Sequence, residues 1–295
     1  MTWAYVAAIL APLVYGFGNI VDEKISRSIA RGSTITFYVT ITNLVFTPVL
    51  FIFYPFQVPP MDILLLCAAA GISFTLMVFP YFLAFKYLDT SVIAALGSLS
   101  LIFAPILAFF VIGEVMAPTQ YLGLAVILVA TVLLNLKKGV NFGINAGLWL
   151  MALVHLLWTI SEVGKKAALA EVNLASVYFF AMLASVIFIS LILFSKRERV
   201  EIRAAWPTFY SKMSLFALGE VLQMVSMALG MFAMIYLQLS VVVGLHRLQP
   251  FFTLLIGAIV LWATGKTANE ALDRNSVAKK LACFALMVLG AVMLT

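Results

Sequence analysis

Apolar residues run along this chain in blocks of roughly twenty, and polar residues collect in the gaps between the blocks. A helix of about 20 apolar residues is what a bilayer core of roughly 30 Å requires. Read that way, spans fall near 3–24, 34–56, 62–87, 90–112, 119–136, 146–168, 174–195, 211–237, 240–263 and 277–294. The gaps have the chemistry of connections. Arg31, Gly32 and Ser33 follow the first block, and Pro55, Pro59 and Pro60 follow the second. A charged run from Lys196 to Arg203, closed by Pro207, reads as the connection between the seventh and eighth spans.

The pattern also repeats. Laying residues 84–99 over 233–248 aligns Ala84, Tyr87, Leu88, Ser91, Val92, Leu96 and Leu99 with Ala233, Tyr236, Leu237, Ser240, Val241, Leu245 and Leu248. The first spans of the two halves align as well, with Tyr15 on Trp158 and Asn19 on Glu162. The chain therefore reads as two five-helix halves, residues 1–140 and 141–295. An odd number of helices per half inverts the second relative to the first, which puts a solute site near the midplane between them.

Composition sharpens the class. Of 295 residues, 64% are hydrophobic and 10% charged, with 24 Phe. A soluble domain of this length has no interior large enough for that much apolar surface. Cys67 and Cys283 lie far apart within apolar runs and read as small core residues. The first apolar run lacks a basic leader and a small-residue cleavage site, so a retained helix is expected.

The net charge of +6 sits mostly in connections, which points to topology and lipid headgroups as the partners of those cations and away from nucleic acid. Fifteen Lys and Arg residues fall in connections 1–2, 3–4, 5–6, 7–8 and 9–10, against Lys165 and Lys166 on the opposite side. By the positive-inside rule both termini are then extracytoplasmic.

Ile112, Gly113 and Glu114 end the fourth span, and Gln120 to Gly123 open the fifth. Those residues match the Gly-Glu…Gln-x-x-Gly signature of the EamA-type branch of the drug/metabolite transporter superfamily. Pro250 stands where that family carries a mid-helix proline. The chain resembles the family over its whole length in helix number and repeat layout. The resemblance implies an all-α integral membrane fold of ten transmembrane helices in two inverted repeats, with both termini inside, contrary to the charge count. It also implies secondary transport of amino acids, nucleotide precursors or amines, often outward, and the expected setting is a bacterial or archaeal inner membrane. Departures bear on substrate class: Leu101 replaces the first half's proline, Ala263 replaces the second half's Glu, and a polar stretch from Gly265 to Ser276 replaces a tight turn.

Ionisable groups inside a span each need a reason, since Arg, Lys or Asp mid-helix costs about 2.5–3.5 kcal/mol on insertion scales. The sharpest group is His246, Arg247 and Gln249 before Pro250. Arg247 does not deprotonate and so requires an anion, a carbonyl or water. Pro250 frees the His246 carbonyl and loosens the helix. The aligned residues of the first half, Gly97, Ser98 and Ser100, are small and leave room for a ligand. Glu220 is the expected partner of Arg247, with Gln223 one turn on. A structural ion pair and a site role are both open for it, and a protonatable Glu220 would couple export to a proton gradient.

Glu162 has the spacing for an interfacial salt bridge with Lys165 or Lys166, or for a second polar wall with Asn19. Tyr15, Trp158, Tyr81 and Tyr87 are candidates to stack on a solute or to anchor at the interface. Thr40, Asn43 and Ser73 add weak hydrogen-bonding candidates, and Glu114 reads as a solvated terminus or gate contact. His155 and His246, in different helices, give no metal-ligand spacing, and no phosphate-binding loop or catalytic triad appears. A non-enzymatic secondary transporter of an amino acid or related carboxylate, without cofactor, is expected, with a transporter of a phosphorylated or lipid-linked solute or a non-transporting membrane subunit as the alternatives. It is expected to be monomeric because ten helices enclose a cavity alone.

Overall fold

Why each apolar block becomes a helix is a matter of solvent: in lipid, every backbone N–H and C=O must be satisfied within its own segment. The computed structural model describes residues 2–26, 29, 32–84, 87–88, 96–135, 146–252, 255–256 and 274–295. Among these residues every regular element is helical. The helices are α1 (Thr2–Ser26), α2 (Gly32–Phe46), α3 (Met61–Ala84), α4 (Ser100–Ile112), α5 (Pro118–Asn135), α6 (Ala146–Ala168), α7 (Leu174–Ser190), α8 (Lys196–Ser211), α9 (Met213–Tyr236), α10 (Leu239–His246) and α11 (Arg274–Leu294). Short 3₁₀ turns extend α2 over Thr47–Ile52 and α7 over Leu191–Phe194, and another, Gly97–Leu99, leads into α4.

Five stretches are long and apolar enough to cross a membrane: Gly32–Ile52, Met61–Tyr81, Ala146–Ala168, Leu174–Phe194 and Met213–Tyr236. Thr2–Gly18, Gly97–Ile112 and Pro118–Leu134 are shorter apolar helices. The expected ninth and tenth spans run into residues outside the description. There α10 stops at His246, helix resumes at 249, and residues 257–273 are not described. Most of the polar stretch from Gly265, Ala263, and the connections holding Lys86, Lys137 and Lys138 lie outside it too.

One connection is not a connection. Residues 196–211 fold as α8 with Pro207 inside the helix. The charged run hides a helical period: Ile202 and Phe209, seven residues apart, are buried, while every charge of the run but Glu198 is exposed. Ser195 caps the first turn, its side chain accepting from the Glu198 amide.

Packing joins early helices to late ones. α1 lies along α9, α3 along both α6 and α7, α5 along α11, and α4 between α6 and α10. Ser226 on α9 donates to the Ala11 carbonyl of α1 at 2.9 Å. The Gln-x-x-Gly motif is explained by the α5–α11 seam. A Cβ on Gly123 would come within 2.7 Å of the Gly290 carbonyl oxygen, so only glycine lets these helices touch. Gln120 in turn donates to the Leu294 carbonyl at 3.3 Å, fastening the end of α11.

Candidate functional site

The ninth apolar block is a broken helix. After His246 the chain takes a turn, with Arg247 and Leu248 donating to carbonyls three residues back, and helix resumes at 249. Pro250, which has no N–H to offer His246, sits just past the break. The aligned residues of the first half, Gly97–Leu99, form a 3₁₀ turn ahead of α4. Two stretches that align in the sequence thus each carry a turn, one ahead of α4 and one after α10.

These two turns meet. A Cβ built on Gly97 would lie 3.5 Å from Arg247 Nη1 and 3.9 Å from His155 Nε2, so the missing side chain is what lets these two groups share the space. The Arg247 guanidinium carbon sits 4.9 Å from the Trp158 ring centroid, a cation–π distance. The His246 ring is 5.7 Å from Tyr15 and 6.4 Å from Trp158. Tyr15 of α1 and Trp158 of α6 thus both lie against the one imidazole. Ser98 is buried beneath, and Gln249 opens the resumed helix, half-buried.

Charge balance here differs from the expectation. Arg247 forms no ion pair with any described residue, and its Nε is buried without a hydrogen-bond partner among them. Glu162 and Tyr15 are the acidic groups in its electrostatic range. Glu220, expected opposite Arg247, is 3% exposed and accepts from Asn43 Nδ2 at 2.9 Å, while Asn43 Oδ1 accepts from Tyr178 at 2.9 Å. The physical reason is position: α9 turns Glu220 toward α2 and α7, not toward α10. Gln223 follows, half-buried.

Glu162 does pair with Lys165, at 2.7 Å, but the pair is buried and not interfacial: Lys165 is 0% and Glu162 3% exposed. Phe74 of α3 covers the ammonium at 5.5 Å. Asn19 falls in α1, and its side chain is outside the description. Tyr81 is 37% and Tyr87 51% exposed, away from the His246 cluster. Thr36, Thr42, Thr47, Thr75 and Thr159 all donate to carbonyls four residues back on their own helices, as mid-helix hydroxyls do.

His155 was not singled out by the sequence as a site residue. It is 8% exposed, and neither ring nitrogen has a hydrogen-bond partner among the described residues. A signal was available: His155, Trp158 and Glu162 recur at i, i+3 and i+7, one face of α6.

Glu114 is neither a free terminus nor solvated. Gly113 ends α4 in the left-handed conformation, φ 69°, which turns the chain so that Glu114 reaches the start of α10. Both carboxylate oxygens accept from the Leu239 amide, at 2.8 and 3.1 Å, and Lys166 Nζ lies 3.7 Å away. Lys166 also donates to the Met234 and Leu237 carbonyls at the end of α9. Burial raises the Glu114 carboxyl above its ordinary range, although the Lys166 charge and the amides of Leu239 and Ser240 pull it back.

Residues 2–136 match the EamA-like transporter family. No curated protein matches the chain in sequence. A solved crystal structure of another protein, 18% identical, superposes on 100% of this chain and 97% of its own length with a TM-score of 0.73. That likeness is one of fold.

Proposed function

We propose, from the match of residues 2–136 to the EamA-like transporter family of the drug/metabolite transporter superfamily, that the chain is a secondary transporter. It moves a small polar metabolite, an amino acid or related carboxylate, across the membrane by alternating access, as an exporter or exchanger. Ten spans in two inverted halves, 1–140 and 141–295, suit the packing. The α1–α9 contact has its mirror in α6–α3, α4–α6 in α10–α1, and α2–α9 in α7–α3. The pairs α2–α7, α4–α10 and α5–α11 would straddle the pseudo-two-fold axis.

The observation that carries the reading is Arg247: a half-buried guanidinium on a broken helix, its Nε buried, stacked on Trp158, with no carboxylate paired to it among the described residues. Such a group suits the bidentate capture of a substrate carboxylate. Glu162 and Lys165 supply both signs of charge nearby, as a zwitterion needs. Gln249, His246, Tyr15 and Trp158 would shape the rest of the pocket, with Asn19, Ser98 and Tyr81 further out. Glu220 and Gln223 would act on the far side of α9, and a proton on Glu220 would be the coupling ion. Unchanged proton flux in Glu220→Gln would remove that last element.

The test is a thermal-shift screen of the detergent-solubilised chain and Arg247→Ala against amino acids, amines, nucleosides and phosphorylated metabolites. An amino acid that stabilises the wild type with occupancy and leaves the variant unmoved supports the assignment. Equal responses in both proteins would make Arg247 structural.

A further inference from the structure

The helix hidden in the seventh connection has a face that transport does not use. At 100° per residue, Trp206, Arg199, Tyr210, Arg203, Lys196 and Val200 fall in that order across about 120° of α8. All six are exposed, Trp206 by 52%, Tyr210 by 65% and Val200 by 60%. That arc holds three cations, two amphipathic aromatics and no acid. The acids are elsewhere: Glu198 turns inward to accept from Ser33 at 2.8 Å, and Glu201 lies on the opposite flank. A surface placed at random would not separate the charges of a helix in this way.

The helix is bolted to the membrane domain, which fixes how that arc is presented. Tyr38 of α2 donates to the Ile202 carbonyl at 2.6 Å, and its ring stacks on Phe209 at 4.2 Å and 9°. Phe209 packs in turn on Phe216 of α9 at 4.9 Å. Trp206 leans on both Tyr38 and Phe209, at 6.2 and 5.6 Å, so its outer edge is held at a set depth. Ring and guanidinium together on one flank of an amphipathic helix are the chemistry of the headgroup layer.

We propose that this flank of α8 is a binding site for anionic phospholipid headgroups. Arg199, Arg203 and Lys196 contact the phosphate while Trp206 and Tyr210 sit at the acyl boundary. Arg199 is held in place by its own donation to the Leu193 carbonyl at 3.0 Å. Connection 7–8 also falls on the Lys/Arg-rich side, the side facing the anionic cytoplasmic leaflet under the positive-inside rule. The site is independent of the reading of Arg247.

The experiment titrates the full chain in detergent with dioleoyl phosphatidylglycerol or phosphatidylcholine and follows the melting temperature. Phosphatidylglycerol should raise it at lower lipid than phosphatidylcholine. Each cation removed should shift half-saturation roughly fivefold, so Arg199→Gln/Arg203→Gln should need about 25-fold more phosphatidylglycerol. Glu201→Gln, on the opposite flank, should titrate as wild type, and its failure to do so would show a diffuse field and overturn the site. Equal responses to the two lipids, or an undiminished response in the double variant, would overturn it too. So would inorganic phosphate reproducing the gain, because the site would then belong to a soluble anion. The substitutions lie on an exposed face, and a melting temperature of the lipid-free double variant near wild type verifies that it folds.

Discussion

Lys165, buried, and Arg247, half-buried, are both cations set among helices, and they are treated in opposite ways. Lys165 has its counter-ion one turn back, Glu162 at 2.7 Å, and a phenyl ring over the remaining face of the ammonium. Arg247 has an indole and no carboxylate paired to it among the described residues. A charge in a low-dielectric interior with its partner in place is part of the fold. A charge without one is held ready for a partner that comes and goes. The helix break matters here, because a guanidinium on a turn between two helical pieces is positioned by backbone that is already free of the ladder.

The comparison breaks most visibly at Lys165. Lys165→Met strands the Glu162 carboxylate and should cost about 3–5 kcal/mol, seen as a large fall in melting temperature in detergent. Adding Glu162→Gln should recover most of that loss, since removing both charges of a buried pair is far milder than removing one. If the single variant melts like wild type, Glu162 has another partner and the contrast with Arg247 collapses.

Arg247→Ala should behave the other way round. It loses a cation–π contact worth up to about 2 kcal/mol and relieves a buried charge penalised by a similar amount. The two nearly cancel, so the melting temperature should move little. Ligand affinity should instead fall roughly 10- to 100-fold, the weight of charge-assisted hydrogen bonds at about 1.5–3 kcal/mol. Isothermal titration with whichever amino acid the screen identifies would read this directly. A variant that fails to fold would place Arg247 beside Lys165 as structure.

Gly97 sharpens the point at smaller scale. Its missing side chain faces Arg247 and His155 at ordinary contact distance, so Gly97→Ala should be tolerated. Gly97→Val pushes methyl groups into the same space and should weaken the ligand about tenfold, comparable to a misplaced methylene in a substrate pocket. Equal affinities for Ala and Val would move the ligand away from that turn.

Much of this was legible in the residues, for identifiable reasons. Apolar blocks bounded by Pro and charges predict helices because lipid permits nothing else, and eight of the ten expected spans have an apolar helix in place. The helix break was visible in Pro250, and the aromatic pair Tyr15 and Trp158 in the repeat alignment. What was hidden is instructive. α8 was masked because six charged residues in its first eight positions look like a loop until Ile202 and Phe209 are read seven apart. The partner of Glu220 was misread because nearness in charge is not nearness in space. Only the packed structure turns it to Asn43 on α2. His155 has no metal-ligand spacing to mark it, and only the i, i+3 relation to Trp158 on one face of α6 ties it to the site.

The smallest effect concerns the cation next to Lys165. Lys166 is 20% exposed and shares Glu114 with the amide that begins α10. It is a cation intermediate between the two extremes, paired but wet. Because burial raises the Glu114 carboxyl in the folded chain above the ordinary value of 4.5, the folded state binds a proton more readily than the unfolded one. The stability this confers is complete at pH below 4.5 and is lost as pH rises through the folded value. Glu114→Gln lacks that dependence. The wild-type melting temperature should therefore decline relative to the variant as pH climbs from about 4. A difference that grows in the opposite direction would mean that the Lys166 charge outweighs burial. Glu114 would then belong with Glu162, as the anion of a structural pair that joins α4 to the α9–α10 corner.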